Sequence, residues 1–303
     1  QGNERFDRQA MGNTSDLASR LAVATPRRLT TSASPIVNRL VDVWAQLTMV
    51  EPNGWGVTSR KFEFRHCNAT VGDYGGVVYA PPGTSHLAEL EQRMSFTTSR
   101  VPYKVLADQL PPKRRMVTRI PASGQTKPEA MSREDRIAYK KEIKELGIVV
   151  ADGGNRWKKA RMAELLRLDA SERKRGFIRD RVPELITMGK GKVLVFTGRK
   201  RSCAALEKTI RGTCRGLQVW MAHGDTPAKE FERIHTAYMA HPGPCVLIGT
   251  YQAWGESLNL QDTDHMLISM LPITPGEVEQ TEGRGARLGQ TRPYTVEYLI
   301  AEH

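Results

Sequence analysis

The chain has 303 residues, with 45 Lys and Arg against 33 Asp and Glu and a net charge of +12; this length suits one large domain or two ordinary ones. A hydrophobic share of 39% beside a charged share of 26% supplies a core and excludes wholesale disorder, and no apolar run approaches the roughly 18 residues of a membrane span. The positive excess points to a polyanionic partner, nucleic acid ahead of an anionic membrane.

The four cysteines, Cys67, Cys203, Cys214 and Cys245, include no C-x-x-C pair. Neither a zinc site nor a disulfide framework is indicated, and a reduced intracellular compartment is the simplest setting. A nucleus and a bacterial or phage-infected cytoplasm both satisfy it. The start, Gln1-Gly2-Asn3, has no initiator Met and no apolar signal segment, so the sequence is expected to begin inside a longer protein.

Along the chain, Arg28-Leu29-Thr30-Thr31 reads as a short buried strand. Ile36, Leu40, Val43, Trp44 and Leu47 fall at helical spacing. Residues 51–83 are rich in Gly, Pro and aromatics and read as loop with short irregular pieces. Thr84 or Ser85 is placed to cap a helix over 86–95. Gln109-Leu110-Pro111-Pro112-Lys113 interrupts regular structure, and 121–128 reads as a linker. Helices are expected across 132–146 and 156–188, with breaks near Gly153-Gly154 and Gly176. Residues 101–180 carry 20 Lys and Arg against 11 Asp and Glu, a net of +9, so most of the chain's charge lies there. That stretch reads as a phosphate-facing strip or an inter-lobe linker rather than a merely solvated face.

From residue 191 the rhythm changes. Strands are expected at 193–196, 217–221, 245–248, 265–270 and 295–300, alternating with helices over 202–211, 226–240 and 275–286. Strands alternating with helices make a mainly parallel α/β sheet covered on both faces. Functional loops then lie at the carboxyl ends of strands: Thr197 to Lys200, His223-Gly224-Asp225, and Thr250 to Glu256. Across the end of the last expected helix and the turn after it lies Gln280-x-x-x-Arg284-x-x-Arg287-x-Gly289-Gln290. Two arginines three apart share a helix face. Two guanidiniums so placed can both reach one phosphate group, each with a two-donor fork.

This pattern resembles motif VI of superfamily-two helicases in their Swi/Snf-type branch. Lys192 to Phe196 resembles motif IV, Gly224-Asp225-Thr226 the G-x-T after the next strand, and Val246 to Leu260 motif V. Ser32-Ala33-Ser34-Pro35 sits where the family has G-T-P, its motif III. Phe62 to Ala69, Leu87 to Leu90 and Gln109 to Lys113 look like the HARP-like annealing helicases of the same branch. Trp254, Ser257 and Ala33 stand where the family usually has glycine or another small residue.

The resemblance implies an α/β chain in three parts. Residues 1–120 would be the C-terminal remnant of a first RecA-like lobe, 121–188 a helical basic linker, and 189–303 a RecA-like second lobe. It implies an ATP-dependent translocase that remodels or reanneals forked or duplex DNA. Arg284 and Arg287 would be catalytic, acting as arginine fingers. Gly255, Glu256, Gln280 and Gln290 would bind ATP. Thr197, Arg199, Lys200, Gly224, Thr250, Tyr251 and Lys113 would bind DNA, and Ser32 and Ser34 would couple the two activities. ATP and Mg2+ would be held mainly by an upstream lobe, in cis or in trans. The chain has no G-K-T, G-K-S or D-E-x-H, so alone it is expected neither to bind ATP strongly nor to hydrolyse it. It assigns no metal ligand to this chain.

Several residues admit a plainer reading. Thr250 serves equally as a strand-end cap, His223 as a loop filler, and Trp254 as either a base-stacking wedge or a buried anchor. The rival functions are a strand-separating superfamily-two helicase on DNA or RNA, and a non-catalytic half-motor that binds DNA.

Overall fold

A computed structural model describes residues 24–32, 35–36, 39–51, 54–55, 58–73, 75–101, 109–121, 174–189, 191–254, 259–272 and 274–302, with single positions 18, 21, 22, 105, 141, 144 and 170. Most of the expected basic linker, its helices and its Gly153-Gly154 break lie outside the described residues, as do Ser34, Gly255 and Glu256. The chain divides into two compact units: residues 1–103 with 274–280, and residues 104–273 with 281–303.

The first unit carries α1 (Asp42–Val50), α2 (Ser59–His66), a hairpin of β1 (Ala69–Val71) and β2 (Val77–Tyr79), and α3 (Leu87–Ser95). Val43, Trp44 and Leu47 recur every three or four residues, so one stripe of α1 faces inward. They pack with Trp55, Phe62, Cys67 and Leu90. Three expectations differ here. Residues 28–31 are extended coil that is largely exposed, because four residues with two threonines and an arginine give no second apolar face to bury. The region 51–83 is not all loop: Phe62 and His66 lie one turn apart, and burying them makes Ser59–His66 a helix. Ser85 does not cap α3; its hydroxyl donates to the Arg65 carbonyl at 2.8 Å and accepts from the Asn68 amide.

The second unit is a six-stranded parallel sheet in the order β3-β8-β7-β4-β6-β5. The strands are β3 (Lys113–Ile120), β4 (Lys192–Thr197), β5 (Gln218–Ala222), β6 (Cys245–Thr250), β7 (His265–Ile268) and β8 (Tyr294–Ala301). A helix over 174–187, α4, precedes β4 and runs unbroken through Gly176. Then come α5 (Lys200–Thr213), α6 (Ala228–Ala240) and the single turn α7 (Tyr251–Trp254); α8 (Pro275–Glu282) follows β7 and belongs to the first unit through residue 280.

The central strands β4, β6 and β7 are buried at every position, as their unbroken apolar runs require. Side chains alternate between faces. One face presents Val193, Val195, Val246, Ile248, Val219, Leu267 and Leu299 to Ile178, Val182 and Leu185 of α4 and to Cys203, Leu206 and Ile210 of α5. The other carries Leu194, Phe196, Leu247, Met266 and Ile268. On that side Tyr238 of α6 meets Trp220 edge to face at 6.2 Å. Each such aliphatic side chain contributes about 1.5–3 kcal/mol by leaving water. Burial pushes the Cys203 and Cys245 thiols up to about 12, so both stay protonated at neutral pH.

Residues 113–120, expected to end the first segment, instead form the edge strand of this sheet, parallel to β8 in full register. Two buried carboxylates brace the pair on opposite faces. On one face, Glu282 accepts from Lys113 Nζ at 2.8 Å, from Arg115 at 2.7 and 2.6 Å, and from the Tyr298 hydroxyl. On the other, Glu297 accepts from Thr118 Oγ1 at 2.7 Å, His265 Nε2 at 2.8 Å and Arg181 Nε at 3.1 Å. Strand β3 is otherwise largely exposed, so its apolar content alone gave no strand signal.

Candidate functional site

Two groups of expected residues are assembled within the second unit. The first lies just past α8. That helix ends at Glu282, earlier than expected, so Arg284 and Arg287 stand in the turns that follow it rather than on a helix face. Glu282 fixes where those turns begin. Its side chain is 0% exposed. Burial by itself would raise its pKa, but the hydrogen bonds from Arg115, Lys113 and Tyr298 outweigh that and hold the carboxyl at about 2.

Arg284 is buried, 6% exposed, and its carbonyl accepts the Leu260 amide at 2.9 Å. Arg287 is half-buried. Its Nε donates to the Gly283 carbonyl at 2.9 Å and its Nη1 to the Asn259 side-chain oxygen. Two anchors fix the plane of a rigid guanidinium. Among the described residues no hydrogen bond involves its Nη2.

Gly289 turns the chain with φ +95°, a conformation open to glycine, and delivers Gln290 inward. The Gln290 amide nitrogen donates to the Thr263 carbonyl at 2.7 Å and its oxygen accepts the Arg292 amide at 3.3 Å. Both ends of this side chain are thus used inside the protein. Gln280 is half-buried on α8.

The second group lies at the carboxyl ends of β4, β5 and β6. Lys200 opens α5 and its ammonium pairs with Asp225 in the β5–α6 loop; both side chains are more than half exposed. Gly224 lies beside them, with its missing Cβ direction 3.9 Å from Lys200 Cε. That loop is closed by Thr226, whose hydroxyl accepts the His223 amide at 3.0 Å. Arg199 is the half-buried residue before α5. Thr250 is buried and its hydroxyl accepts the Ala253 amide at 3.3 Å, the capping role weighed for it. Tyr251 lies over Gly198, its ring 3.3 Å from where a Cβ would stand.

Two residues expected at DNA are enclosed or ion-paired within the protein. Thr197 is fully enclosed, because strand β4 is buried through its last residue. Lys113 spends its ammonium on Glu282. Ser32 is exposed coil. Trp254 is the buried anchor of the two readings: it is 0% exposed, donates Nε1 to the Ala222 carbonyl at 3.1 Å and packs on Phe231 with ring centroids 4.2 Å apart. Gly249 makes that possible, since a Cβ there would lie 2.0 Å from the indole. A large residue in a small-residue position is thus accommodated by glycine on the neighbouring strand.

The sequence singles out neither Glu282 nor Asn259, and Asp225 only as part of a functional loop. Their partners lie far away in the chain, Asn259 from Arg287 and Glu282 from Lys113 and Arg115, so no local spacing signals them. Among the described residues, no three His, Cys, Asp or Glu side chains gather in a way that could hold a metal ion, and no helix is long and apolar enough to cross a membrane.

Residues 178–289 match the helicase conserved C-terminal domain. The chain is 26% identical over 277 residues to the DNA annealing helicase and endonuclease ZRANB3 of Mus musculus, covering 91% of this chain and 25% of that protein. It is 24% identical over 289 residues to the SWI/SNF-related matrix-associated actin-dependent regulator of chromatin subfamily A-like protein 1 of Xenopus tropicalis, covering 93% of this chain and 28% of that one. The crystal structure of the C-terminal part of the Fun30 ATPase domain aligns with a TM-score of 0.45 at 13% identity, over 64% of this chain and 86% of that chain. The chain spans about a quarter of the length of the curated relatives it matches. Residues 178–289, which hold most of the parallel sheet and the turn after α8, are thus similar to the helicase conserved C-terminal domain, in a chain similar over about nine-tenths of its length to Swi/Snf-type superfamily-two proteins.

Proposed function

We infer that this chain is the C-terminal part of a Swi/Snf-type, ATP-dependent DNA translocase that remodels or reanneals forked or duplex DNA. In this reading the first unit is the end of the first motor lobe. The phosphate loop and the magnesium ligands are supplied by a lobe in cis or in trans. The observation that carries the reading is Arg287: a guanidinium held in plane by two anchors, half-buried, with Nη2 uncommitted among the described residues.

The donors fit a phosphate. Bound ATP supplies a γ-phosphoryl group whose oxygens gather charge as the group transfers. Arg287 is then oriented before reaction, so little is lost in arranging it when that charge develops. Arg284 adds a second positive charge in a buried, less polarisable setting, where Coulomb attraction is stronger than in water. Lys200 and the backbone around Gly224 form the exposed edge for DNA phosphates. Such contacts are independent of base sequence and steeply salt-dependent.

The test is steady-state ATP hydrolysis at saturating DNA, in the ATPase-competent protein that contains this chain and a phosphate loop. Arg287→Ala should lower turnover by about 10² or more and leave ATP and DNA binding within a few-fold. Arg287→Lys should restore little, because an ammonium lacks the planar fork. Unchanged turnover in Arg287→Ala would overturn the reading. DNA affinity should fall by roughly 10³ between 50 and 200 mM salt if about six phosphates are contacted; salt-independent binding would count against the DNA edge.

A further inference from the structure

The segment Asn259-Leu260 is stitched to the turn after α8 at two points. The Leu260 amide donates to the Arg284 carbonyl at 2.9 Å, and the Asn259 side-chain oxygen accepts from Arg287 Nη1. Asn259 is itself held from a third element: His235 of α6 bonds its carbonyl through Nε2 at 2.9 Å, which makes that ring nitrogen the donor. His235 and Phe231, on one face of α6, flank Trp254, at 6.4 and 4.2 Å between ring centroids. One residue therefore ties α6, through its carbonyl, to the arginine turn, through its side chain.

We propose that Asn259 is the positioning residue of Arg287: its side-chain oxygen sets the rotation of the guanidinium so that Nη2 points to the phosphate. The inference rests on the reading of Arg287 given above. The Gly283 carbonyl alone fixes one point of the guanidinium, at Nε, and leaves the group free to swing about that hydrogen bond. The Asn259 oxygen supplies the second point. It is also uncharged, so it orients the cation without neutralising it, which a carboxylate in that place would do. The Asn259 residue is exposed, so its truncation removes no core.

A double-mutant cycle on ATP turnover tests this in the same ATPase-competent protein. Asn259→Ala should lower kcat by about 10-fold or more, since misplacing a reacting group by about 1 Å costs up to about 10². KM for ATP and DNA affinity should stay within about twofold. In an Arg287→Ala background the same substitution should add almost nothing, because the group it orients is gone. A merely structural Asn259 predicts the opposite, an equal loss in both backgrounds, and that result would overturn the proposal. Wild-type turnover for Asn259→Ala beside a low Arg287→Ala removes the positioning role alone. Wild-type turnover for Arg287→Ala removes the phosphate reading and this role with it. Should Asn259→Ala fail to fold, Asn259→Ser is carried through the same cycle and judged by the same outcomes.

Discussion

Basic side chains stand in two parts of the second unit under opposite conditions. Around the turn after α8 they are tied to buried partners: Glu282 gathers Lys113, Arg115 and Tyr298, and the arginine pair hangs from that anchor. Along the carboxyl edge of β4–β6 the charged pair Lys200–Asp225 stands in solvent, and the deep anchor beneath is an apolar one, Trp254. Buried charge is costly when unmatched, so the first region holds one geometry. Solvated charge is cheap to rearrange, so the second is free to follow a ligand. In the function proposed above, a reacting phosphate would use the first arrangement and a sliding nucleic-acid backbone the second.

The anchor of the carboxyl edge is the largest single contributor in this contrast. Trp254→Ala should destabilise the protein by about 3–5 kcal/mol in denaturant unfolding, the usual cost of truncating a buried tryptophan. Gly249→Ala should cost about 1–3 kcal/mol in the wild type, since its Cβ meets the indole. In a Trp254→Ala background it should cost almost nothing. Additive losses would break the claim that Gly249 exists for the tryptophan.

Glu282 comes next. Glu282→Ala should cost about 3 kcal/mol by leaving Lys113 and Arg115 without their counter-charge. The effect carries a pH signature. The folded carboxyl is held at about 2, below the ordinary glutamate value of about 4.3. Its stabilisation is therefore complete above about pH 4.3 and is lost as the pH falls toward 2. Denaturant unfolding of wild type and Glu282→Gln between about pH 7 and pH 3 should show two curves converging in acid. A constant gap would show that the variant removes packing rather than a charge.

The smallest effect belongs to the solvated pair. Lys200→Ala and Asp225→Ala should each leave the unfolding midpoint unmoved within error, as exposed ion pairs commonly do. Asp225→Asn frees the Lys200 ammonium for a phosphate and should tighten DNA binding, by about threefold at low salt and less at high salt. Weaker binding would show that Asp225 orients Lys200 for the nucleic acid rather than competing with it.

The interior of the second unit was legible in the sequence because its strands are buried on both faces. Val193 to Phe196 and Cys245 to Ile248 have no polar interruption, and short buried strands between helices leave few topologies open. The arginine turn was legible through its spacing, although the helix it was placed on stops at Glu282. Edge strand β3 was not, because its side chains are mostly polar and its partners distant: Lys113, Arg115 and Thr118 read as a polar loop until Glu282 and Glu297 are brought to them from far along the chain. Thr197 and Lys113 went to DNA for the same reason. Residue type marks a group able to bind phosphate, while burial and a distant carboxylate decide whether it is free to. Helix α2 was hidden by flanking glycines and prolines, whose turn signal outweighed an eight-residue pattern.

The pairing of β3 with β8 also sets an order of assembly. The two strands are some 180 residues apart in the chain, yet they lie side by side over eight residues. Strand β3 precedes β4 to β7 in the chain, and the Glu282 and Glu297 that brace it follow them. Pairing of β3 with β8 and the bracing of both carboxylates therefore rest on the same long-range contacts, which makes this edge the slow part of the sheet to form.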